Sequence, residues 1–278
     1  MWVASRCDIP RKDLFFLYTA PGYLYRKGGY FYASNSSPLT RPSVFSAAYW
    51  RGAAANLKDT RMLALAAMVV ALRVVCKMIE IPIAPGLNIN PAGFFNAVGA
   101  MVYGPVVGVV GAMISDPLGY LMHPDGPYFL PFMLVDMSSS FIFGLLFWKR
   151  PLTVGRTMGA KFAVNMISNV VLTSLIMKWN YYVFYGVEKA EAYSLINLTR
   201  IVKNLVMFPI EAILLTVVLG ALSPALFRMR MLPGKPNLKL KARHYVLLAA
   251  LTLLAIGLVV FYVLFLKDYV KAHNFKLW

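Results

Sequence analysis

Hydrophobic residues run in blocks along this chain, at the length a helix needs to cross a bilayer. A hydrocarbon core takes roughly 20 residues of helix, and predominantly apolar stretches of about that length occupy 62–79, 105–122, 128–148, 162–177, 205–227 and 245–266. A seventh, 91–103, is too short to span alone and must cross with its neighbours' help or enter as a partly re-entrant piece. The pattern predicts an all-α integral membrane protein: a bundle over 58–230, a cytoplasmic extension over 1–57, and a basic linker with one further transmembrane helix over 231–278. The extension has no sustained helical period, and its aromatic residues (Phe15, Phe16, Tyr18, Tyr23, Tyr25) read as interfacial anchors.

Composition agrees, with 59% hydrophobic residues, 14% charged residues and a mean hydropathy of +0.63. Those values exclude an ordinary soluble domain. The net charge of +17 invites a nucleic-acid reading, but the positions of the 28 Lys and Arg residues decide against it. Nine lie in the first 61 residues, four in 149–161 and six in 228–243, whereas 80–92 and 123–127 have none. This alternation follows the positive-inside rule and puts the N-terminus and both basic connectors in the cytoplasm of a bacterial cell, with the chain passing several times through the plasma membrane. Anionic headgroups, not nucleic acid, are the expected partners of that charge. Arg6, Asp8, Arg11, Lys12 and Asp13 interrupt any signal-peptide core, so insertion is expected to depend on the first span. Cys7 and Cys76 make neither a disulfide framework nor a metal-ligand spacing.

Polar residues inside apolar helices carry the functional argument, because a charge at mid-membrane costs roughly 2.5–3.5 kcal/mol on insertion scales. Arg73 and Lys77, four apart, share one face of the first span, while Ala67 and Ala71 point away from it. Arg200, Lys203, Asn204 and Glu211 line one side of the last core span, where Pro209 removes a backbone donor. Asn165, Asn169 and Thr173 make a stripe of hydrogen-bonding groups on the fifth span. Asp116 and Asp136 lie in two further spans, and Asn88 and Asn90 in the connector before residue 91. Gathered around one outward-opening cavity, these groups offer cations to an anionic ligand and amides to a heteroatom-rich ring. The simpler reading pairs Asp116 or Asp136 with Arg73 or Lys203, and Glu211 with a structural partner. Gly104, Gly108 and Ala112 form a small-residue stripe suited to helix packing.

Enzyme chemistry has no support. His123, His244 and His273 form no metal pair, there is no nucleophile elbow, and no phosphate-binding loop is present, so ATP-driven work requires other subunits.

Three stretches resemble a known family: AAMVVAL, then NAVGAMVYGPVVGVVGAMISDPLGYLMHPDGPYFLPFMLVDMSSSFIFGLLF, and TRIVKNLVMFPIEAILL. They are similar to the substrate-binding S components of energy-coupling factor (ECF) vitamin transporters, and the R-x-x-K-N of the last stretch resembles the folate-type branch. The resemblance covers about residues 60–230 and implies a six-helix bundle, here with one additional C-terminal helix. It implies capture of a vitamin, folate or a related pterin, at the outer face. Ala67 and Ala71 match the motif that docks on a T component driven by two ATPases. No cofactor belongs to this chain, and ATP is used by the partner subunits. The expected ligand residues are Arg73, Lys77, Asn88, Asn90, Asp116, Asn165, Asn169, Arg200, Lys203 and Asn204. The N-terminal extension and the last helix fall outside the usual S component. The alternative function is a self-sufficient secondary transporter in which Asp116, Asp136 or Glu211 relays protons. A membrane enzyme or scaffold is a third class, without a catalytic constellation to support it.

Overall fold

The structure is a computed structural model that describes residues 24–27, 30–33, 43–79, 81–84, 87–124, 128–193 and 198–229, with 231–232, 238 and scattered positions from 246 to 257. Most of the extension before residue 43, most of the 231–243 linker and most of the helix expected over 245–266 lie outside the described residues; the positions described from 246 to 257 are helical. Residues 1–42 and 43–278 form two separate units. Within the first, β1 (Leu24–Lys27) and β2 (Tyr30–Ala33) pair antiparallel, with Leu24 opposite Ala33.

Among its described residues the second unit is helical apart from one short hairpin, β3 (Ile81–Ala84) with β4 (Leu87–Ile89). Its first helix, α1 (Ala47–Ala55), falls within the extension that the sequence read as lacking helical period. Nine residues are too few for periodicity to register, and the local signal is the cap: Ser46 accepts a hydrogen bond from the Ala48 N–H at 3.2 Å. Asp59 caps α2 (Thr60–Lys77) in the same way, through the Arg61 N–H at 2.9 Å. Next come α3 (Ala92–Met122), α4 (Met133–Phe147) and α5 (Val154–Ala163), which runs without a break into a π-helical segment (Val164–Leu172) and then α6 (Thr173–Tyr185). The short α7 (Val187–Ala192) and the long α8 (Leu198–Arg228) complete the described bundle. Among the described residues, four stretches are long and apolar enough to cross a membrane: Ala92–Met122, Leu130–Phe147, Val154–Tyr185 and Arg200–Arg228. The 18-residue α2 is about 27 Å long and carries Arg61, Arg73 and Lys77.

Helix α3 contains the two segments that the apolar pattern separated. Gly104 divides them, with φ 85° and ψ −178°, a conformation essentially confined to glycine. The two halves then fold back on each other: a Cβ at Gly108 would lie 3.7 Å from the Ala100 Cβ, whereas eight residues of straight helix rise about 12 Å. The Trp148 indole lies across the break, 2.9 Å from where a Gly104 Cβ would stand.

The core sits where α3 packs against α2 and α4. A Cβ at Gly144 of α4 would come within 2.5 Å of the Pro105 Cα, so the two backbones meet there with no room for a side chain. In a membrane, where apolar side chains gain little by leaving lipid, such close approaches carry much of the helix association. Gly108 and Ala112 are both buried in this packing.

These contacts predict the behaviour of glycine variants in detergent. Gly104→Ala and Gly144→Ala are expected to lose about 1–3 kcal/mol each, read as a clear fall in thermal unfolding temperature. Gly159→Ala, which meets nothing within 4 Å, should be neutral or slightly stabilising.

Candidate functional site

The C-terminal half of α2 turns Arg73 and Lys77 toward α3 and α4, where two carboxylates meet them. Arg73 Nη2 lies 3.3 Å from Asp136 Oδ2, and Lys77 Nζ lies 2.7 Å from the same oxygen and 2.8 Å from Asp116 Oδ1. The Tyr128 hydroxyl donates to Asp116 Oδ2 at 3.3 Å. Gly119 makes the crossing possible, since a Cβ there would fall 2.6 Å from the Lys77 Cδ. Two cations and two anions thus neutralise one another across three helices. Arg73 is the most deeply placed, only 2% exposed, and its Nε and Nη1 are buried without a hydrogen-bond partner among the described residues. Asn90 closes the end of this cluster: its amide donates to the Lys77 carbonyl at 3.4 Å, and its Oδ1 accepts from the Ala92 N–H at 2.9 Å at the start of α3. Asn88 lies beside it in strand β4.

Three consecutive serines on α4 extend the polar region in two directions. Helical residues one apart differ by about 100°, so Ser138, Ser139 and Ser140 reach different neighbours. Asn96 of α3 donates to Ser139 Oγ at 3.0 Å and accepts from the Ser140 hydroxyl at 2.6 Å. Ser138 bonds Ser168 of the π segment at 2.7 Å.

From Ser168 the polar groups continue between the π segment and α8. Asn165, fully buried, donates to Glu211 Oε2 at 2.8 Å and to the Asn204 carbonyl at 3.4 Å. Asn169 donates to Asn165 Oδ1 at 3.4 Å, and Asn204 to the Arg200 carbonyl at 2.9 Å. Arg200 reaches Ser174 Oγ at 3.3 Å. Lys161 of α5 neutralises Glu211 at 3.1 Å. The nine-residue π segment carries Asn165, Ser168 and Asn169; π turns inside helices recur at functional sites. Its last turn is bonded by the Thr173 hydroxyl, which donates to the Ser168 carbonyl at 2.9 Å.

The expected site residues therefore fall into two groups. Arg73, Lys77 and Asp116 meet around Asp136, with Asn90 on the Lys77 backbone carbonyl, whereas Asn165, Asn169, Arg200 and Asn204 meet between the π segment and α8. Lys203 is exposed and stands outside both. Asp136 takes Arg73 as one partner and shares Lys77 with Asp116; Lys203 has no part in neutralising either. Sequence reading missed Asn96, Lys161 and the serine triplet as members of the polar region. Their one signal was polarity inside apolar stretches, since a hydroxyl or amide there must find a partner on a neighbouring helix. On α2, Ala67 and Ala71 are exposed on the side opposite Arg73. Among the described residues no three His, Cys, Asp or Glu side chains approach as metal ligands would.

This arrangement was compared with known proteins. The chain is 30% identical over 120 residues to the folate transporter FolT of Clostridium novyi (strain NT), which covers 43% of this chain and 64% of that protein, just under two thirds of its length. It is 28% identical over 157 residues to the folate transporter FolT of Leuconostoc mesenteroides subsp. mesenteroides, covering 55% of this chain and 81% of that one. Among solved structures it is similar to a crystal structure of FolT bound with folic acid, at 24% identity and a TM-score of 0.45, over 55% of this chain and 88% of that chain. A family model described as ECF transporter, substrate-specific component, matches residues 61–219, more than half of the 278 residues and the whole stretch from α2 into α8. The chain belongs to that family, and is a multi-pass membrane component of a transporter and not an enzyme.

Proposed function

We propose that this protein captures folate or a related pterin at the outer face of the membrane and delivers it to an ATP-driven ECF module. One observation carries the choice of ligand: Arg200 and the amides of Asn165, Asn169 and Asn204 converge between the π segment and α8, in a chain whose curated relatives are named folate transporters. A pterin ring offers donors and acceptors to amides, and the glutamate tail of folate offers carboxylates to a guanidinium. Lys203, exposed on the same helix, adds a second cation for that tail. Arg73, Lys77, Asn88, Asn90 and Asp116 are assigned to the other side of the ligand site, where the Arg73 nitrogens without a partner among the described residues are available to the ligand.

The delivery step uses the smooth strip of α2. Ala67 and Ala71 let the backbone of a T-component helix approach closely, as small residues do in membranes, and two ATPases bound to that component supply the energy. The working unit is a six-helix bundle with one further C-terminal helix, its N-terminus in the cytoplasm by the distribution of Lys and Arg. Equilibrium titration of the detergent-purified protein with folate, followed by tryptophan fluorescence, tests the ligand; no saturable signal at micromolar concentration sinks the proposal.

Two substitutions separate ligand recognition from support. Arg200→Ala is expected to weaken folate binding by about 1.5–3 kcal/mol, the value of a charge-assisted hydrogen bond, while the unfolding temperature stays near wild type; unchanged affinity would make Arg200 a structural residue. Asp136→Asn should act on stability, by about 3–5 kcal/mol, because it strips the carboxylate from a guanidinium that is almost wholly buried. The double substitution Arg73→Met/Asp136→Leu should recover most of that loss in thermal unfolding, since it removes both charges together.

A further inference from the structure

Helix α1 precedes the family-matched segment yet is firmly seated on the bundle. Tyr49 and Ala53 are buried against Trp148, the Tyr49 and Trp148 rings meet edge to face at 4.9 Å, and the Tyr49 hydroxyl donates to the Gly144 carbonyl at 3.4 Å. Asn56, just beyond α1, donates to the Tyr103 carbonyl at the α3 break at 2.9 Å. Among the described residues, nothing packs on the opposite side of α1 beyond Phe141. Phe45 is 98% exposed, and Trp50 stacks at 5.9 Å on Phe141, itself an outward residue of the membrane-crossing α4.

Three cations surround this junction. Lys149 adopts φ 55°, a left-handed conformation uncommon outside glycine. Its Nζ sits 4.3 Å from the Trp148 ring centroid and 3.3 Å from where a Gly52 Cβ would stand, so the missing side chain of Gly52 makes room for it. Arg51 is exposed next to Gly52, and Arg150 is close enough to Tyr49 to act on its phenol electrostatically. Among the described residues none of the three forms an ion pair with a carboxylate. Burial pushes the Lys149 ammonium below its ordinary pKa, and among the described residues no neighbouring anion opposes that shift.

We propose that the α1–α4 junction seats the headgroup phosphate of an anionic phospholipid, held by Arg51, Lys149 and Arg150, while Trp50 and Phe45 enter the acyl boundary. Unopposed positive charge selects an anion. Exposed aromatic residues continuous with the outer face of a membrane-crossing helix select one that carries acyl chains, since Trp and basic side chains favour that depth of the bilayer. The proposal stands apart from folate capture, because all three cations lie outside the groups assigned to the ligand.

Native mass spectrometry of the full chain, released from mixed micelles holding equal phosphatidylglycerol and phosphatidylcholine, tests it. The wild-type protein should retain phosphatidylglycerol preferentially. Arg51→Gln/Lys149→Gln should lower its apparent affinity about 25-fold, at roughly five-fold per charge. Lys149→Arg should keep it, as should Lys178→Gln/Lys189→Gln, which removes two charges from α6 and α7. Equal retention of both lipids by the wild type, an equal loss in the two double variants, or displacement of phosphatidylglycerol by equimolar glycerol phosphate would each overturn the proposal. Folate titration of the same samples should give the wild-type affinity throughout, so failure here and failure of folate capture are read separately.

Discussion

Arg73 holds a permanent charge where hydrocarbon gives it no solvation, and the packing of α2, α3 and α4 is arranged to supply what the solvent cannot. A guanidinium that is 2% exposed needs a counter-charge from the protein, and Asp136 on α4 provides it. One carboxylate between two cations would leave positive charge over, so Asp116 on α3 completes the balance through Lys77. The close contacts follow from that requirement. Gly119 lets the Lys77 side chain cross α3, and Gly144 lets α4 approach the backbone of α3. Bulk at either position would move a carboxylate away from its cation.

Beyond this cluster, separate hydrogen-bonded pairs join Asn96 to the α4 serines, Ser138 to Ser168 of the π segment, and Asn165 to Glu211 of α8. Each member faces the same constraint as Arg73, at smaller magnitude: a polar group away from water must be paired. The polar groups differ at the two extremes. Around Asp136 the charges largely cancel, which suits a rigid support. Between the π segment and α8, amides and a guanidinium gather with Glu211 held by Lys161, a chemistry suited to reading a ligand with a ring and a carboxylate tail. Helix α1 adds a third polar site, at the boundary where α4 ends and basic residues face lipid headgroups.

Much of this was legible in the sequence. Four of the apolar blocks fall on the four membrane-length apolar helices among the described residues, because bilayer thickness sets a length that only long hydrophobic runs satisfy. Helical spacing put Arg73 and Lys77 on one face of α2 with Ala67 and Ala71 on the other, and it grouped Asn165 with Asn169. Composition excluded an ordinary soluble domain, the placement of Lys and Arg argued against nucleic acid, and the motifs of three segments pointed to the family.

What the sequence alone could not decide depended on which helices are neighbours. In a membrane both the lipid-facing and the core-facing positions of a helix are apolar, so periodicity cannot say which face meets which partner. The choice of Lys77 over Lys203 as the shared cation, the reach of the serine triplet to two helices, and the seating of α1 on Trp148 all come from that adjacency. The fold-back at Gly104 and the π turns are backbone states set by tertiary packing around them. Local composition allowed both, and only the assembled bundle, with an indole over one and paired hydroxyls beside the other, made them the conformations adopted.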